Sequence, residues 1–302
     1  MASIRGRYIS LTSSAARRSR LEGQLQTLGI SERYRWFPAI CGDDKASAAR
    51  GLKAGEWGLW PSWIQLLKEE IKQPDQSDWL HIIEDDVELS NHFWLFCQRL
   101  KPGIPKFDLL FTDMYANPSI YRALCTQHQQ LQAIGKIHLK NDLYSGCTAS
   151  VLIHRKRIPA VLQRLETCSE TRRPLLPIDN QLRNFFSKNQ LSFRRTAPFI
   201  TGVRPESIEN STIQDRNRQD HSIVVTQKIC RNLRRQLSIL NTGDPCIELI
   251  ELFHHLTQKC EHDRKASFAK RITMQLIELS EQQGLLRYTV QPRLRGEPDN
   301  QQ

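Results

Sequence analysis

Asp78-Trp79-Leu80-His81-Ile82-Ile83-Glu84-Asp85-Asp86-Val87-Glu88-Leu89 is the stretch on which the reading of this chain turns. A short apolar run stops abruptly at three consecutive carboxylates, as when a buried strand carries ligands to the rim of a sheet. Three like charges side by side repel one another unless water, helix caps or a cation compensates them. A divalent cation is the compensation that also performs chemistry. The setting sharpens the signal. Between Lys72 and Arg99 lie six acidic residues and no Lys or Arg, in a chain whose net charge is +11. On an extended strand Glu84 and Asp86 share a side and Asp85 faces the other. Glu84 and Asp86 are therefore the expected metal ligands, and Asp85 is expected to cap a helix or hold a sugar. The plainer alternative is that these acids only open a turn or a helix.

Working outward, strand and helix signals alternate to about residue 200, which is the pattern of an α/β sheet. Arg7 to Leu11 reads as a strand that stops at the cap cluster Thr12-Ser13-Ser14. Leu21, Leu25 and Leu28 then share a helical face that Gly29 closes. Tyr34 to Phe37 reads as a second strand, followed by the turn signals Gly42-Asp43-Asp44. The pattern from Gly55 to Gln73 is helical, and Pro61 is expected to kink it or start a new helix. Further strands are expected at Trp79–Ile83, Phe107–Thr112 and Val151–Ile153, with a helix near Ile158–Leu165. The polar stretch from Tyr115 to Asp142 reads as a loop over a site. Beyond Arg204 the text changes: Leu233, Leu237 and Leu240, then Leu249, Leu252 and Leu256, recur at helical spacing on either side of Asn241-Thr242-Gly243-Asp244-Pro245. That predicts a small helical hairpin in residues 205–302, with a disordered tail, appended to a domain of residues 1–204.

Composition narrows the class. With 302 residues, 39% apolar and 25% charged, the chain is globular in type. Leu109-Leu110-Phe111 and similar runs are far shorter than the roughly 20 residues a membrane span needs. Met1 to Arg20 holds several Arg and no apolar core, so no signal peptide is read and a cytoplasmic location is expected. Eight cysteines without a CxxC pair argue for reduced thiols rather than disulfides or a zinc ribbon. His254, His255, Cys260 and His262 cluster locally, but the adjacent histidines point different ways on a helix, so they read as surface or core residues. Arg155 to Arg195 is a basic block, a feature that favours polyanions such as nucleic acid, an anionic membrane face or phosphorylated glycans, unless it is merely a solvated face.

Several segments, in order, resemble glycosyltransferase family 25, the lipooligosaccharide galactosyltransferases and their relatives among the collagen galactosyltransferases. Ile9-Ser10-Leu11 with Ser14 and Arg17-Arg18 resembles the family's opening strand. Arg35-Trp36-Phe37-Pro38-Ala39 with Gly42, and Gly55-Glu56-Trp57-Gly58 with Ser62, resemble its next two segments. Ile83-Glu84-Asp85-Asp86-Val87 matches its acidic motif. Phe107-Asp108-Leu109-Leu110, Gly146 with Ala149, and Pro177-Ile178-Asp179 complete the series over about residues 7–200. The departures are Trp63, where relatives carry His, with Pro61 just before, and Ser150, where they carry Tyr. The change at 63 puts full activity or the usual donor in question.

The resemblance implies a GT-A-like fold, a Rossmann-type sheet with an appended C-terminal α-helical element. It implies a hexosyltransferase that moves a sugar, galactose by family habit, from a UDP-sugar to a glycan acceptor with inversion. Mn²⁺ or Mg²⁺ on Glu84 and Asp86 would neutralise the leaving diphosphate. Ser10, Leu11, Arg17, Arg18 and Asp85 are the expected donor-binding residues. Inversion needs a base for the acceptor hydroxyl. Asp179 is the first candidate, with a helix N-cap as its bland alternative; Asp113 is the second, and Glu56 would orient a sugar unless it only stabilises a helix start. A lipid-linked acceptor at the inner membrane face is compatible with the basic block. Three rivals stand beside this reading. A nucleic-acid-binding protein fits the charge but lacks any matching signature, so no nucleic-acid partner is expected. A phosphohydrolase lacks the further His and Asp at fixed spacings. An inactive relative is the third, given Trp63.

Overall fold

The structure is a computed structural model that describes residues 2–73, 77–116, 124, 127, 137–171, 173–204, 234, 237 and 238. The chain divides into two compact units, residues 1–243 and 244–302, and every described residue lies in the first. In chain order the elements are β1 (Ile4–Ser10), α1 (Ala15–Thr27), β2 (Tyr34–Pro38), α2 (Asp44–Ala49), α3 (Ala54–Lys72), β3 (Trp79–Glu84) and β4 (Val87–Leu89). Then follow α4 (Asn91–Gln98), β5 (Leu109–Phe111), β6 (His138–Lys140), β7 (Ser150–His154), α5 (Ile158–Ser169), α6 (Ile178–Ser187), β8 (Phe193–Ala197) and β9 (Thr201–Val203).

Seven strands form one sheet in the order β2-β1-β3-β7-β5-β8-β6. β1, β2, β3, β5 and β8 run one way, and β7 and β6 run against them. β4 and β9 make a separate two-stranded ribbon. The expected α/β sheet is therefore present, with cores on both faces. Leu80, Ile82, Val151, Ile153, Leu109 and Phe111 face one core with Trp60, Trp63 and Leu66 of α3, Val161 of α5 and Leu182 of α6. Ile83, Leu152 and Leu110 face the other with Leu21 and Leu25 of α1 and Phe93 of α4. Alternate side chains serve opposite cores, which is why β3 and β7 read as unbroken apolar runs.

Two helices show how local chemistry sets this layout. In α1 the apolar pair Leu21 and Leu25 is buried, and Gly29 at φ 67° ends the helix as expected. In α3 one helix runs from Ala54 to Lys72 with Pro61 inside it, so no new helix starts at that proline. Packing overrides the lost hydrogen bond: Trp60 and Trp63 are wholly buried, and the Trp60 indole donates to the Leu176 carbonyl at 2.9 Å. Gly58 lets α3 approach the chain after β2, since a Cβ there would stand 2.4 Å from the Ile40 carbonyl oxygen. Buried Glu70 near the helix's end accepts from Arg7 of β1 at 2.7 Å and from Arg155 at 2.8 Å.

Other expectations shift. The turn signals at Gly42 to Asp44 start a helix, α2, because Asp43 Oδ1 accepts from the Ala46 N–H at 2.7 Å. His138–Lys140, read as loop, is strand β6 paired with β8. The rest of that stretch, residues 117–123, 125–126 and 128–136, lies outside the described residues. So do the expected hairpin, apart from residues 234, 237 and 238, and the His254–His262 cluster. Of the segment past Arg204, Leu237 and Ser238 lie along the chain after β8, with Phe199 N–H donating to the Leu237 carbonyl at 2.9 Å. The four described cysteines, Cys41, Cys97, Cys147 and Cys168, are free thiols. No helix among the described residues is long and apolar enough to cross a membrane.

Candidate active site at the acid turn

Asp85 and Asp86 form the turn between β3 and β4, at the end of the sheet where β1, β2 and β3 finish. The turn is held from behind: β4 pairs with β9, and the Arg204 N–H donates to the Asp86 carbonyl at 2.9 Å. In front of it opens a cleft of about 200 Å³ lined by Ile9, Leu11 and Arg17, by Ala39 to Gly42, by Gly58 and Ser62 of α3, and by Glu84, Asp85 and Asp86. A crevice outside the carboxyl ends of parallel strands is where open α/β sheets bind ligands.

The expected alternation of the three acids does not hold, because strand geometry ends at Glu84 and all three acids reach the same cleft. Asp85 is tied to β1 and α1. Ser10 Oγ donates to its Oδ2 at 2.5 Å and Arg17 Nε stands 3.3 Å from its Oδ1. Burial pushes the Asp85 carboxyl upward, while the Ser10 hydroxyl and Arg17 pull it back. Glu84 accepts from Thr148 Oγ1 at 3.1 Å. Burial, then the charge of Asp86, pushes Glu84 up to about 8. A second negative charge here is thus costly, and a cation placed between the two carboxylates would relieve it.

On the flank towards β7 and β5 stands a second group. Asp113, just past β5, is wholly buried, and its Oδ2 accepts from Arg234. Burial raises Asp113 and the Arg234 guanidinium opposes that rise. The same guanidinium lies 3.2 Å from Cys147 Sγ, and burial pushes that thiol up to about 12. Asp179, in the first turn of α6, accepts from the Asn180 N–H at 2.7 Å and from the Cys147 N–H at 3.3 Å. The segment it holds is strained: Gly146 has φ 133° and Cys147 has φ 87°. A Cβ on Gly146 would stand 2.9 Å from Asp179 Oδ2.

Two expected residues are engaged elsewhere. Glu56 accepts from the Lys53 N–H at 2.9 Å, the helix-start role, and is not among the residues lining the cleft. Arg18 donates to the Leu11 and Thr12 carbonyls and lies 4.3 Å over the Trp36 ring, shaping the loop after β1. Trp63, the departure from family 25, is buried in the core; its neighbour Ser62 lines the cleft and bonds the Ile40 N–H at 2.8 Å. Thr148, Cys147 and Arg234 were not anticipated as site residues. Nothing local in the sequence marks Arg234; Thr148 and Cys147 sit between the quoted Gly146 and Ala149, which was the available signal.

Among the described residues no three His, Cys, Asp or Glu side chains converge as a metal cage. The donor set nonetheless suits Mg²⁺ or Mn²⁺, which are held by one or two carboxylates and take their remaining oxygens from phosphate and water. The presence of Glu84 and Asp86 in the lining of one cleft is the observation that fits.

No protein-family profile matches the sequence, and no curated protein matches it. Solved structures similar to the chain include a glycosyltransferase involved in glycosylation of the major capsid of PBCV-1, at 7% identity and TM-score 0.39, covering 64% of this chain and 81% of that one. A Drosophila beta-1,4-galactosyltransferase 7 in complex with manganese, UDP-Gal and xylobiose is similar at 6% identity and TM-score 0.38, covering 74% and 79%. Mouse xyloside xylosyltransferase 1 is similar at 11% identity and TM-score 0.32, covering 63% and 71%. At such identities the overlap concerns the course of the backbone alone.

Proposed function

We propose that this protein is a glycosyltransferase that moves a hexose from a UDP-sugar to a glycan acceptor with inversion. The observation that carries the proposal is that Glu84 and Asp86 line one cleft at the carboxyl ends of β1, β2 and β3 while Asp85 between them is anchored to Ser10 and Arg17. The sequence resemblance to family 25 supports the same reading.

In this reading the nucleotide lies in the cleft beside Leu11, Arg17 and Ile40. Arg17 shares its charge between Asp85 and the diphosphate, and Gly58 keeps α3 packed against the Ile40–Gly42 backbone that lines the cleft. When bound at Glu84 and Asp86, Mn²⁺ or Mg²⁺ supplies Lewis-acid neutralisation of the diphosphate charge. The acceptor hydroxyl attacks the anomeric carbon as the bond from that carbon to the diphosphate oxygen breaks. Asp179 takes the hydroxyl's proton, and the strained Gly146–Cys147 segment fixes its orientation. Asp113 stands as the second candidate base.

The basic block gives little support to a polyanion-binding role. Arg155 is spent on Glu70, Arg157 lies 3.7 Å from Asp108, and Arg195 is buried against Asp142 at 2.9 Å. The proposal therefore stops at a glycan acceptor and names no lipid. The test is mass spectrometry on a panel of nucleotide sugars incubated with the protein, Mn²⁺ and simple glycosides. Transfer from at least one UDP-hexose, absent in Asp86→Asn, is expected. No product from any donor sinks the proposal.

A further inference from the structure

The ion pair between Asp113 and Arg234 has two unmet hydrogen-bonding atoms. Asp113 Oδ1 and Arg234 Nε are both buried and have no hydrogen-bond partner among the described residues. The residues themselves are 1% and 7% exposed. A buried donor or acceptor left unmet costs free energy that a ligand can recover. Here an acceptor and a donor stand unmet in one ion pair, and a sugar hydroxyl is a group that both donates and accepts.

Position on the sheet says which part of a nucleotide sugar would meet them. Arg17 and Ser10, at the β1 side of the acid turn, hold Asp85 beside the cleft. β1, β3, β7 and β5 lie side by side in that order. Asp113, which follows β5, is thus on the opposite flank of Glu84 and Asp86 from Arg17. The charge of Asp86 acts on Arg234 from the acid turn. A donor whose diphosphate sits at the turn, with its nucleoside towards β1, carries its sugar towards this flank. Arg234 is held there by more than the Asp113 carboxylate: Leu237 and Ser238, three and four residues further on, are bonded to Phe199 beside β9.

We propose that Asp113 and Arg234 form the subsite that reads the hydroxyls of the transferred hexose, so that chain beyond residue 204 contributes to donor selection. This inference rests on the proposed UDP-sugar reading. Both groups are binding residues in it while Asp179 serves as the base.

The test compares binding of UDP with binding of UDP-hexoses by calorimetry in Mn²⁺. Wild-type protein is expected to bind its preferred UDP-hexose at least tenfold more tightly than UDP. In Arg234→Lys, which keeps the charge and loses the planar Nε–H, that increment falls to within about threefold while UDP affinity is unchanged. The double variant Asp113→Asn/Arg234→Gln removes both charges together, so no lone buried charge remains to unfold the protein. It should lose the increment and the discrimination among UDP-hexoses, with its fold checked by circular dichroism. An increment retained in folded variants overturns the subsite and leaves the transferase reading standing. Failure of wild-type protein to bind UDP at all overturns both.

Discussion

Ser10 Oγ, at the end of β1, donates a 2.5 Å hydrogen bond to Oδ2 of Asp85 in the turn after β3. The bond fastens the acid turn to the neighbouring parallel strand and fixes where Glu84 and Asp86 emerge. Ser10→Ala leaves a buried carboxylate oxygen without its hydroxyl, at a cost of about 1–3 kcal/mol. We expect a lower melting temperature and weaker UDP binding together. Intact UDP affinity in a destabilised Ser10→Ala would mean the bond serves stability alone.

Asp179 is assigned the base role. Asp179→Asn should lower turnover by about two to four orders of magnitude and spare UDP binding. Gly146→Ala pushes a Cβ to within 2.9 Å of the same carboxylate at a φ of 133°, so it should lower turnover too. Steady-state kinetics with the donor found by the mass-spectrometric panel decide this; full turnover in Asp179→Asn passes the role to Asp113.

Glu70 anchors α3 by bonding Arg7 and Arg155 in a wholly buried position. Removing one partner of a buried ion pair strands the others, typically at about 3–5 kcal/mol. Glu70→Ala is therefore expected to lose stability of that order in urea unfolding. A loss under about 1 kcal/mol would show that water reaches the site.

His81 sets an acid limit. It is buried in β3, with Nδ1 2.6 Å from Tyr34 Oη and Nε2 2.9 Å from Ser150 Oγ, and burial pushes it down to about 3. The folded state thus keeps His81 neutral while the unfolded chain protonates it below about 6.5. Stability from this group is present above that pH and is lost as pH falls from about 6.5 towards 3, by up to about 1.4 kcal/mol per unit. Unfolding measured at pH 7 and pH 5 should show that slope, flattened in His81→Gln. An unchanged slope would place the acid sensitivity elsewhere.

Much of the sheet was legible because its strands are buried on both faces. Trp79 to Ile83 and Val151 to Ile153 are apolar runs of strand length, and the acids after Ile83 mark a rim. Glu84 and Asp86 were singled out for that reason. Pro61 starts no new helix, since the burial of Trp60 and Trp63 beside it holds α3 together. Asp85 was misplaced because alternation applies only while the strand lasts. β6 and the β4–β9 ribbon are three residues per strand, too short to carry a period. Arg234 was invisible for a different reason: its meaning comes from Asp113, 121 positions earlier, and no local pattern encodes that distance.

The central claim is that Glu84 and Asp86 serve a nucleoside diphosphate through a shared cation. Thermal-shift titration with UDP, with and without Mn²⁺, tests it most directly. The account predicts stabilisation by UDP that grows when Mn²⁺ is added and vanishes in Glu84→Gln/Asp86→Asn. A wild-type melting temperature indifferent to UDP and Mn²⁺ together, or a double variant that responds as wild type does, would contradict it.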